Sequence, residues 1–500
     1  MVSQVDVPTR ISGAIPRGIH SFVIGRRARL AVAVGALGAG VSVLGDWVPS
    51  YWSDEVATLQ AARLGWPDLF KLLRTKDAVH GLYYCLMHVW IAVFGESELA
   101  TRSLSAIAVG LAAAGLVVLG FLLHRAQTGV LAGIIFCVLP RTTFMGSEAR
   151  SYALGAAIAV WAFVALLVAA TRRAWGWWSL YTALMVLGTY MFLYNALLLV
   201  AHGVYLLLTR REPRILLSWL VAAALACVTS APLVQLSIGQ KEQIAWLSDQ
   251  PVVNVWTIVV EPWFESSWLV AAIAWAAIAA LAFRFKRMAR PSAFNAFVLA
   301  GAWAFVPLAL LLSADAVAGP LYTSRYLSFT APGLALLLAL AVVSFKRWIG
   351  GSILVALIVA AAPTYIAQRQ PFAKNGGSDL REIAETVASH ASPGDAFFLQ
   401  NDGPVTLRPR LAFNAYPSLF ASLDDVALIR SDLTKGHYAD VTFTPDELPY
   451  RVANTHAVWV VTSTQGSHDA TEIGVVLGNR GLHEVATYRL NRDTVSKYSR

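Results

Sequence analysis

Cysteine is nearly missing from this chain: only 3 occur in 500 residues. Cys85, Cys137 and Cys227 all lie in apolar stretches, and an odd number so placed excludes a disulfide framework. Charge is scarce as well, at 14% of residues, where soluble domains carry about 25%. With 57% hydrophobic residues and 17 Trp, much of the surface needs a solvent other than water. Acidic residues are thin before position 370, where 15 Asp/Glu face 27 Lys/Arg; the remainder carries 15 and 12. The basic excess falls in short clusters between apolar segments, a positive-inside pattern that excludes a nucleic-acid footprint. No internal repeat is found, which argues against a transporter built from repeats.

The basic clusters set the topology. Arg17, Arg26, Arg27 and Arg29 precede the apolar run 30–48, so residues 1–29 form a cytoplasmic tail. No small-residue cleavage site follows, which predicts an anchored helix. Further clusters are His124-Arg125, Arg172-Arg173, Arg210-Arg211-Arg214, Arg284-Lys286-Arg287-Arg290 and Lys346-Arg347. An even number of spans must separate cytoplasmic clusters. Leu82–Phe94, 13 residues with His88 inside, is too short to span and is expected to be an interfacial or re-entrant helix on the outer side.

The spans then fall at 30–48, 103–123, 127–145, 150–171, 176–191, 192–209, 215–236, 267–283, 293–313, 324–344 and 348–366. The fold class is an α-helical polytopic membrane protein of about eleven transmembrane helices, with residues 30–368 as its membrane domain. From 369 to 500 the composition turns polar. A helix at Asp379–His390, a Ser392-Pro393-Gly394-Asp395 turn, and strands at 396–399 and 457–461 predict a small extracytoplasmic α/β domain covering the outer face. A basic-polar tail ends it. This part has no Gly-rich phosphate loop and no metal-spaced His/Cys set.

The polar residues of the membrane domain gather on the outer side. Tyr51-Trp52-Ser53-Asp54-Glu55 puts two carboxylates just beyond the first span, and ionisable groups at such a boundary mark a functional site. The plainer alternative is a helix start, with Ser53 as N-cap and acids in the first turn. Lys76, Asp77 and His80 follow on the same side, then Arg141, Glu148, Arg150 and Tyr152, then Asp315, Tyr322, Arg325 and Tyr326. Lone arginines at span ends also act as snorkelling anchors, and tyrosines as belt residues. Arginines on the side that positive-inside disfavours are better explained by an anionic partner, since guanidinium groups suit phosphate oxygens. One carboxylate would accept an acceptor hydroxyl's proton while the arginines neutralise a departing phosphate.

These stretches resemble a family. The acidic pair in the first outer loop is similar to the start of GT-C glycosyltransferases, in the protein-mannosyltransferase and aminoarabinose-transferase branch. Asp77-Ala78-Val79-His80-Gly81-Leu82-Tyr83-Tyr84 resembles that branch's His-Pro-Pro-Leu-Tyr-Tyr element, followed by Phe94-Gly95 and Arg102. Glu148-Ala149-Arg150-Ser151-Tyr152 resembles its Glu-Ala-Arg-x-Tyr segment, and Ser324-Arg325-Tyr326-Leu327 with Pro332 its late Arg-Tyr-Leu motif. The resemblance covers residues 30–345 and departs from the pattern at Gly81-Leu82, where the double proline is replaced. It implies transfer of a sugar from a polyprenyl-phosphate donor, with inversion, to a lipoglycan, polysaccharide or protein hydroxyl in the cell envelope. Ala/Val-rich helices look like actinobacterial relatives, where mannose is the expected sugar and arabinose the other.

The resemblance makes Asp54 the general base and Glu55 its helper. Arg150 and Arg325 become donor-phosphate ligands with His80 in the same pocket; Arg141, which departs from the pattern by following Pro140 where an apolar residue is expected, is an additional phosphate-ligand candidate, and Tyr152, Tyr326, Lys76 and Tyr83 are the pocket candidates. No cofactor is required on this reading, with a divalent metal as an allowed addition and no metal ligands assigned. The other function classes are a flippase for lipid-linked glycans and a non-catalytic membrane scaffold; the location of the chain is the plasma membrane in each case.

Overall fold

The computed structural model describes residues 25–249, 253–285, 291–444, 447–452, 455–463 and 470–500. Arg17 and the rest of the tail before residue 25 lie outside the described residues, as do the basic residues 286–290. The helices of the first half are α1 (Arg26–Val43), α2 (Ser53–Arg63), α3 (Trp66–Thr75), α4 (Gly81–Phe94), α5 (Glu98–Leu123), α6 (Ala126–Val138), α7 (Pro140–Met145), α8 (Tyr152–Arg172), α9 (Trp175–Met191), α10 (Leu198–Thr209) and α11 (Pro213–Gly239). Then come α12 (Val255–Val259), α13 (Glu261–Phe264), α14 (Trp268–Phe285), α15 (Pro291–Ala318), α16 (Ala331–Ser344), α17 (Arg347–Ala367) and α18 (Leu380–His390).

Among the described residues, 6 helical stretches are long and apolar enough to cross a membrane: Glu98–Leu123, Tyr152–Arg172, Pro213–Gly239, Pro291–Ala318, Ser324–Ser344 and Arg347–Ala367. Shorter apolar helices surround them. Two expected spans are broken, for local reasons. The 127–145 segment splits at Leu139 (φ −59, ψ 132), because a residue before proline is pushed out of the helical region. The 192–209 segment opens as a 3₁₀ turn at Leu193–Leu197, where the Asn195 side-chain amide donates to the Gly188 carbonyl at 3.0 Å. The helix after the acidic loop, α4, is 14 residues long, below spanning length, in line with the short-helix expectation.

Close helix crossings rest on glycine. A Cβ on Gly120 would lie 2.2 Å from the Gly129 Cα, so only glycine lets α5 and α6 approach this closely. The α3 helix, which the sequence pattern did not flag, is amphipathic. It buries Leu69, Leu72 and Leu73 and exposes Trp66 and Phe70, the mark of an interfacial helix.

The C-terminal part is an α/β unit. Strands β1 (Ala396–Leu399), β2 (Asp424–Asp425), β5 (Ala457–Ser463), β6 (His483–Arg489) and β7 (Asp493–Ser499) form one sheet in the order β2-β1-β5-β7-β6. β1 runs parallel to β2 and β5, and β7 antiparallel to β5 and β6. A two-stranded ribbon, β3 (Leu428–Arg430) with β4 (Val441–Thr442), stands beside it. The expected polar tail is instead β6 and β7. In β7, Val495 packs into the apolar cluster on one face of the sheet and Tyr498 into the cluster on the other, so the strand is covered on both sides despite its polar neighbours.

The α/β unit does not stand apart. Tyr51, Val56 and Leu59 of the acidic segment share one apolar cluster with Leu380, Ile383, Phe397 and Trp459. On the opposite side of α2, Ala61 and Ala62 pack with Tyr83 and Tyr84 of α4. The helix that begins with the acidic pair is therefore clamped between the membrane-type helices and the C-terminal unit.

Candidate active site

Neighbouring residues on a helix point about 100° apart, so Asp54 and Glu55 cannot share one direction. Glu55 turns inward and is 0% exposed. Its Oε1 accepts from Arg102 Nε at 2.8 Å and the Ala149 amide at 2.9 Å, and its Oε2 from Arg102 Nη2 at 2.7 Å. Burial alone would raise the Glu55 carboxyl, but the Arg102 charge and hydrogen bonds outweigh it and hold the group below its ordinary value. Asp54 turns outward and keeps 22% of its side-chain surface exposed. Ser53 makes no capping bond; α2 starts behind Trp52, so of the helix-start reading only the first-turn acids remain.

The partner of Asp54 is Arg325. Its Nη1 lies 2.9 Å from Asp54 Oδ2, and its guanidinium sits over the rings of Trp52 and Trp246 at 5.6 and 5.2 Å. Arg150 approaches from the loop before α8. Its Nη1 donates to the Tyr84 hydroxyl at 2.9 Å, to the Asp54 carbonyl at 3.3 Å and to Thr58 Oγ1 at 3.4 Å. The Nε of each arginine is buried without a hydrogen-bond partner. Two guanidinium groups beside one carboxylate thus each keep a donor in reserve.

His80 is 5% exposed; its Nδ1 pairs with Ser151 Oγ at 2.9 Å and its ring stacks on Phe192 at 5.7 Å. Burial, and then the charges of Arg150 and Arg325, lower its pKa well below the ordinary imidazole value, so it is neutral beside the arginines. Tyr152 and Tyr326 join an aromatic wall with Phe192 and Tyr194, at centroid distances of 5.3 Å for Tyr152–Phe192 and 5.1 Å for Tyr194–Tyr326.

The remaining expected residues sit elsewhere. Arg141 pairs with Glu265 at 2.9 Å and donates to the Glu261 carbonyl at 3.1 Å, so an acid already holds it. Tyr83 is 0% exposed within the apolar cluster under α2. Lys76 is half-buried at the end of α3, where its amide bonds the Leu72 carbonyl at 2.7 Å. Tyr322 donates to the Thr257 carbonyl at 2.5 Å, and Asp315 Oδ1 accepts from the amides of Leu321 and Tyr322 at 2.6 and 2.7 Å.

The structure adds residues that the sequence did not single out. Tyr84 donates to Asp77 Oδ2 at 2.7 Å and receives Arg150, so its hydroxyl links the two while its ring stays in the core. Tyr438 of the C-terminal unit donates to the same Asp77 oxygen at 3.1 Å. Asp77 itself takes a left-handed conformation (φ 54), which Asp tolerates better than most residues, and its amide bonds Gln243 Oε1 at 2.9 Å. The chain Tyr438–Asp77–Tyr84–Arg150 carries the C-terminal unit into the site. Asp77, Arg150 and the Tyr83-Tyr84 doublet were visible in the sequence; Tyr438 was not.

No protein-family model matches this chain, and no curated protein does. Solved structures do. ArnT from Cupriavidus metallidurans bound to undecaprenyl phosphate superimposes at TM-score 0.57 with 15% identity, covering 94% of this chain and 97% of that one. The same protein in the apo state gives 0.58 and 14%, covering 95% and 98%. The apo Archaeoglobus fulgidus oligosaccharyltransferase gives 0.49 and 11%, over 88% and 70%. The end-to-end match to ArnT fixes the architecture, a helical GT-C fold with a small C-terminal sheet region.

Proposed function

We propose that this chain is a membrane glycosyltransferase that moves a sugar, mannose first among candidates, from a polyprenyl-phosphate donor to an acceptor hydroxyl at the outer membrane face. The observation that carries the reading is the outward carboxylate of Asp54 held 2.9 Å from Arg325, with Arg150 bonded to the Asp54 carbonyl. A base and a phosphate clamp are what displacement at a phosphate-activated anomeric carbon needs. The acceptor oxygen bonds to C1 as the C1–O bond to phosphate breaks. The bonding pair leaves with the polyprenyl phosphate, and the acceptor proton passes to Asp54. Arg325 uses Nη1 on Asp54, which leaves its Nε for a phosphate oxygen and keeps base and leaving group in register. Attack opposite the leaving group inverts the centre, and the step balances without a metal ion.

Neutral His80 adds no charge to repel the two arginines and can hydrogen-bond the phosphate side of the donor. The aromatic wall of Tyr152, Tyr326, Phe192 and Tyr194 gives the sugar a flat apolar face. A neighbour of the same fold was solved with undecaprenyl phosphate, which supports the donor class. The acceptor is a lipoglycan, a wall polysaccharide or a protein. The outer face of the plasma membrane follows from the positive-inside pattern.

The test is transfer of label from radiolabelled polyprenyl-phospho-mannose in membranes carrying wild type or Asp54→Asn. A loss of about 10²–10⁴-fold in the variant is expected for a general base. Equal transfer by the two overturns the base assignment. No transfer from either the mannose or the arabinose donor favours the flippase reading instead.

A further inference from the structure

Two buried charges near the acidic pair take no part in the step above. Lys374, seven residues past the end of α17, is 1% exposed. Its Nζ has no hydrogen-bond partner and stands 4.0 Å from the centroid of the Phe144 ring. Glu148, two residues before Arg150, is also 1% exposed, and its Oε1 has no partner. Among the described residues neither enters an ion pair within 4.0 Å, so they do not neutralise each other by contact. Three other buried charges are paired, Arg102 with Glu55 at 2.7 Å, Arg141 with Glu265 at 2.9 Å and Arg410 with Asp425 at 2.6 Å, while Asp46, also buried, has neither carboxylate oxygen bonded.

Both border the acidic pair: Lys374 stands over Phe144, four residues before Glu148, and Ala149, next to Glu148, gives its amide to Glu55 Oε1 at 2.9 Å. The charges acting on Glu148 are, in order, those of Lys374, Glu55, Asp54 and Arg150, and those on Lys374 begin with Glu55 and Glu148. Burial raises the Glu148 carboxyl to about 7 and lowers the Lys374 ammonium to about 8, as expected of charges without a bonded partner. An unpaired buried charge is costly, and its presence beside a reaction centre asks for a ligand.

The chemistry of the pair narrows that ligand. An ammonium only donates and an ionised carboxylate only accepts. A phosphate would suit Lys374 but be repelled by Glu148 and Glu55. A set of hydroxyls, each able to donate and accept, satisfies both at once. We propose that Lys374 and Glu148 bind the glycosyl group of the lipid-phosphate donor, Lys374 donating to one sugar hydroxyl and Glu148 accepting from another. This rests on the glycosyltransferase reading and extends it. The phosphate is held by Arg150 and Arg325, the sugar by a pair reaching in from the α7–α8 loop and from the entry to the C-terminal unit. Specificity for the sugar then resides in this pair, because a hydroxyl misplaced in an epimer leaves a buried charge unbonded.

The test separates the two halves of the donor. Affinity of the full-length protein in nanodiscs is measured for bare decaprenyl phosphate and for decaprenyl-phospho-mannose and decaprenyl-phospho-arabinose. Lys374→Met and Glu148→Gln are expected to lose about 10- to 100-fold in affinity for at least one sugar-bearing ligand, the scale of a hydrogen bond to a charge, while keeping bare phosphate within about twofold. Lys374→Met should also raise the unfolding temperature, since it removes an unpaired buried charge; a structural lysine would lower it. Equal losses for bare and sugar-bearing ligands, or no loss in either variant, overturn the subsite. Wild type that binds none of the three overturns the donor reading, and the subsite with it.

Discussion

Replacing Arg102 by Met while keeping Glu55 would strand a carboxylate at a position with no exposed surface. The guanidinium makes two hydrogen bonds to that carboxylate, at 2.8 and 2.7 Å. It also donates to the carbonyls of Asp46, Pro49 and Ser50 at 2.5, 2.8 and 3.2 Å and lies 5.2 Å from the Tyr51 ring centroid. Breaking one side of a buried pair costs about 3–5 kcal/mol. Three carbonyls losing their donor add about 1 kcal/mol each at most. The expected destabilisation is therefore on the order of 5 kcal/mol, comparable with the whole margin of a domain.

Removing both charges should cost far less, because two apolar side chains of similar volume ask nothing of each other. Glu55→Leu combined with Arg102→Met is expected to recover about 3 kcal/mol relative to the sum of the single changes. The check is a double-mutant cycle on equilibrium unfolding in mixed micelles, followed by tryptophan fluorescence. Losses that add to within about 0.5 kcal/mol would refute the view that the pair is a closed electrostatic unit.

Two further outcomes follow from contacts around the site. Tyr438→Phe deletes one of the two hydroxyls on Asp77 Oδ2 and leaves Tyr84 in place, so the Asp77–Tyr84–Arg150 chain loosens without losing its charges. Donor KM should rise about 5- to 10-fold with kcat changed less than about twofold, as for one hydrogen bond of about 1 kcal/mol; a fall confined to kcat contradicts a positioning role. Glu148 holds its proton to about 7 when folded against 4.5 as its ordinary value, so the folded state binds the extra proton between those pH values and stability falls as pH rises through them. Glu148→Gln should flatten that fall; identical pH slopes of the unfolding temperature in wild type and variant would exclude this carboxyl as its source.

The site was legible where chemistry is carried by local spacing. An acidic pair beyond an apolar run, and arginines on the side where positive charge is disfavoured, pointed to Asp54, Glu55, Arg150 and Arg325, and the family resemblance chose Asp54 and added His80. The structure brings Asp54, Arg150, Arg325 and His80 together. What spacing does not encode is direction. That Asp54 and Glu55 diverge follows from helix geometry, but which one faces Arg102 depends on packing from α5, 47 residues away. The same limit exchanged Tyr83 for Tyr84, since only the three-dimensional path of α4 decides which ring meets Asp77. Arg141 has the right type and side, yet Glu265 holds it. Lys374 lies between the last long helix and the sheet, where no periodicity marks it.

The fold was legible in its long helices and less so where backbone breaks are short. Pro140 and Asn195 each interrupt a segment that hydropathy reads as continuous, because hydropathy averages over the residue that bends the chain. Strands β6 and β7 were missed for a related reason. Polar residues such as Glu484, Thr487, Lys497 and Ser499 occur on both faces, and a register shift between Glu484 and Ala486 breaks the period, so no clean apolar alternation marks either strand.

The division between the two carboxylates explains why the outer one can be spared for chemistry. On the proposed function Asp54 is the base and has to stay partly exposed, and an exposed acid contributes little to holding a loop. The holding is done by its neighbour: Glu55 with Arg102 fastens the carbonyls of residues 46–50, and Tyr51 ties the same turn to Thr101 at 2.7 Å and to Tyr416 of the C-terminal unit at 3.2 Å. Asp54 therefore stands on a turn fixed from both the helical and the α/β sides. Changes at Glu55 should reach catalysis only by moving that turn, which separates them from Asp54→Asn: rescue by a compensating Arg102 substitution is open to the first and closed to the second.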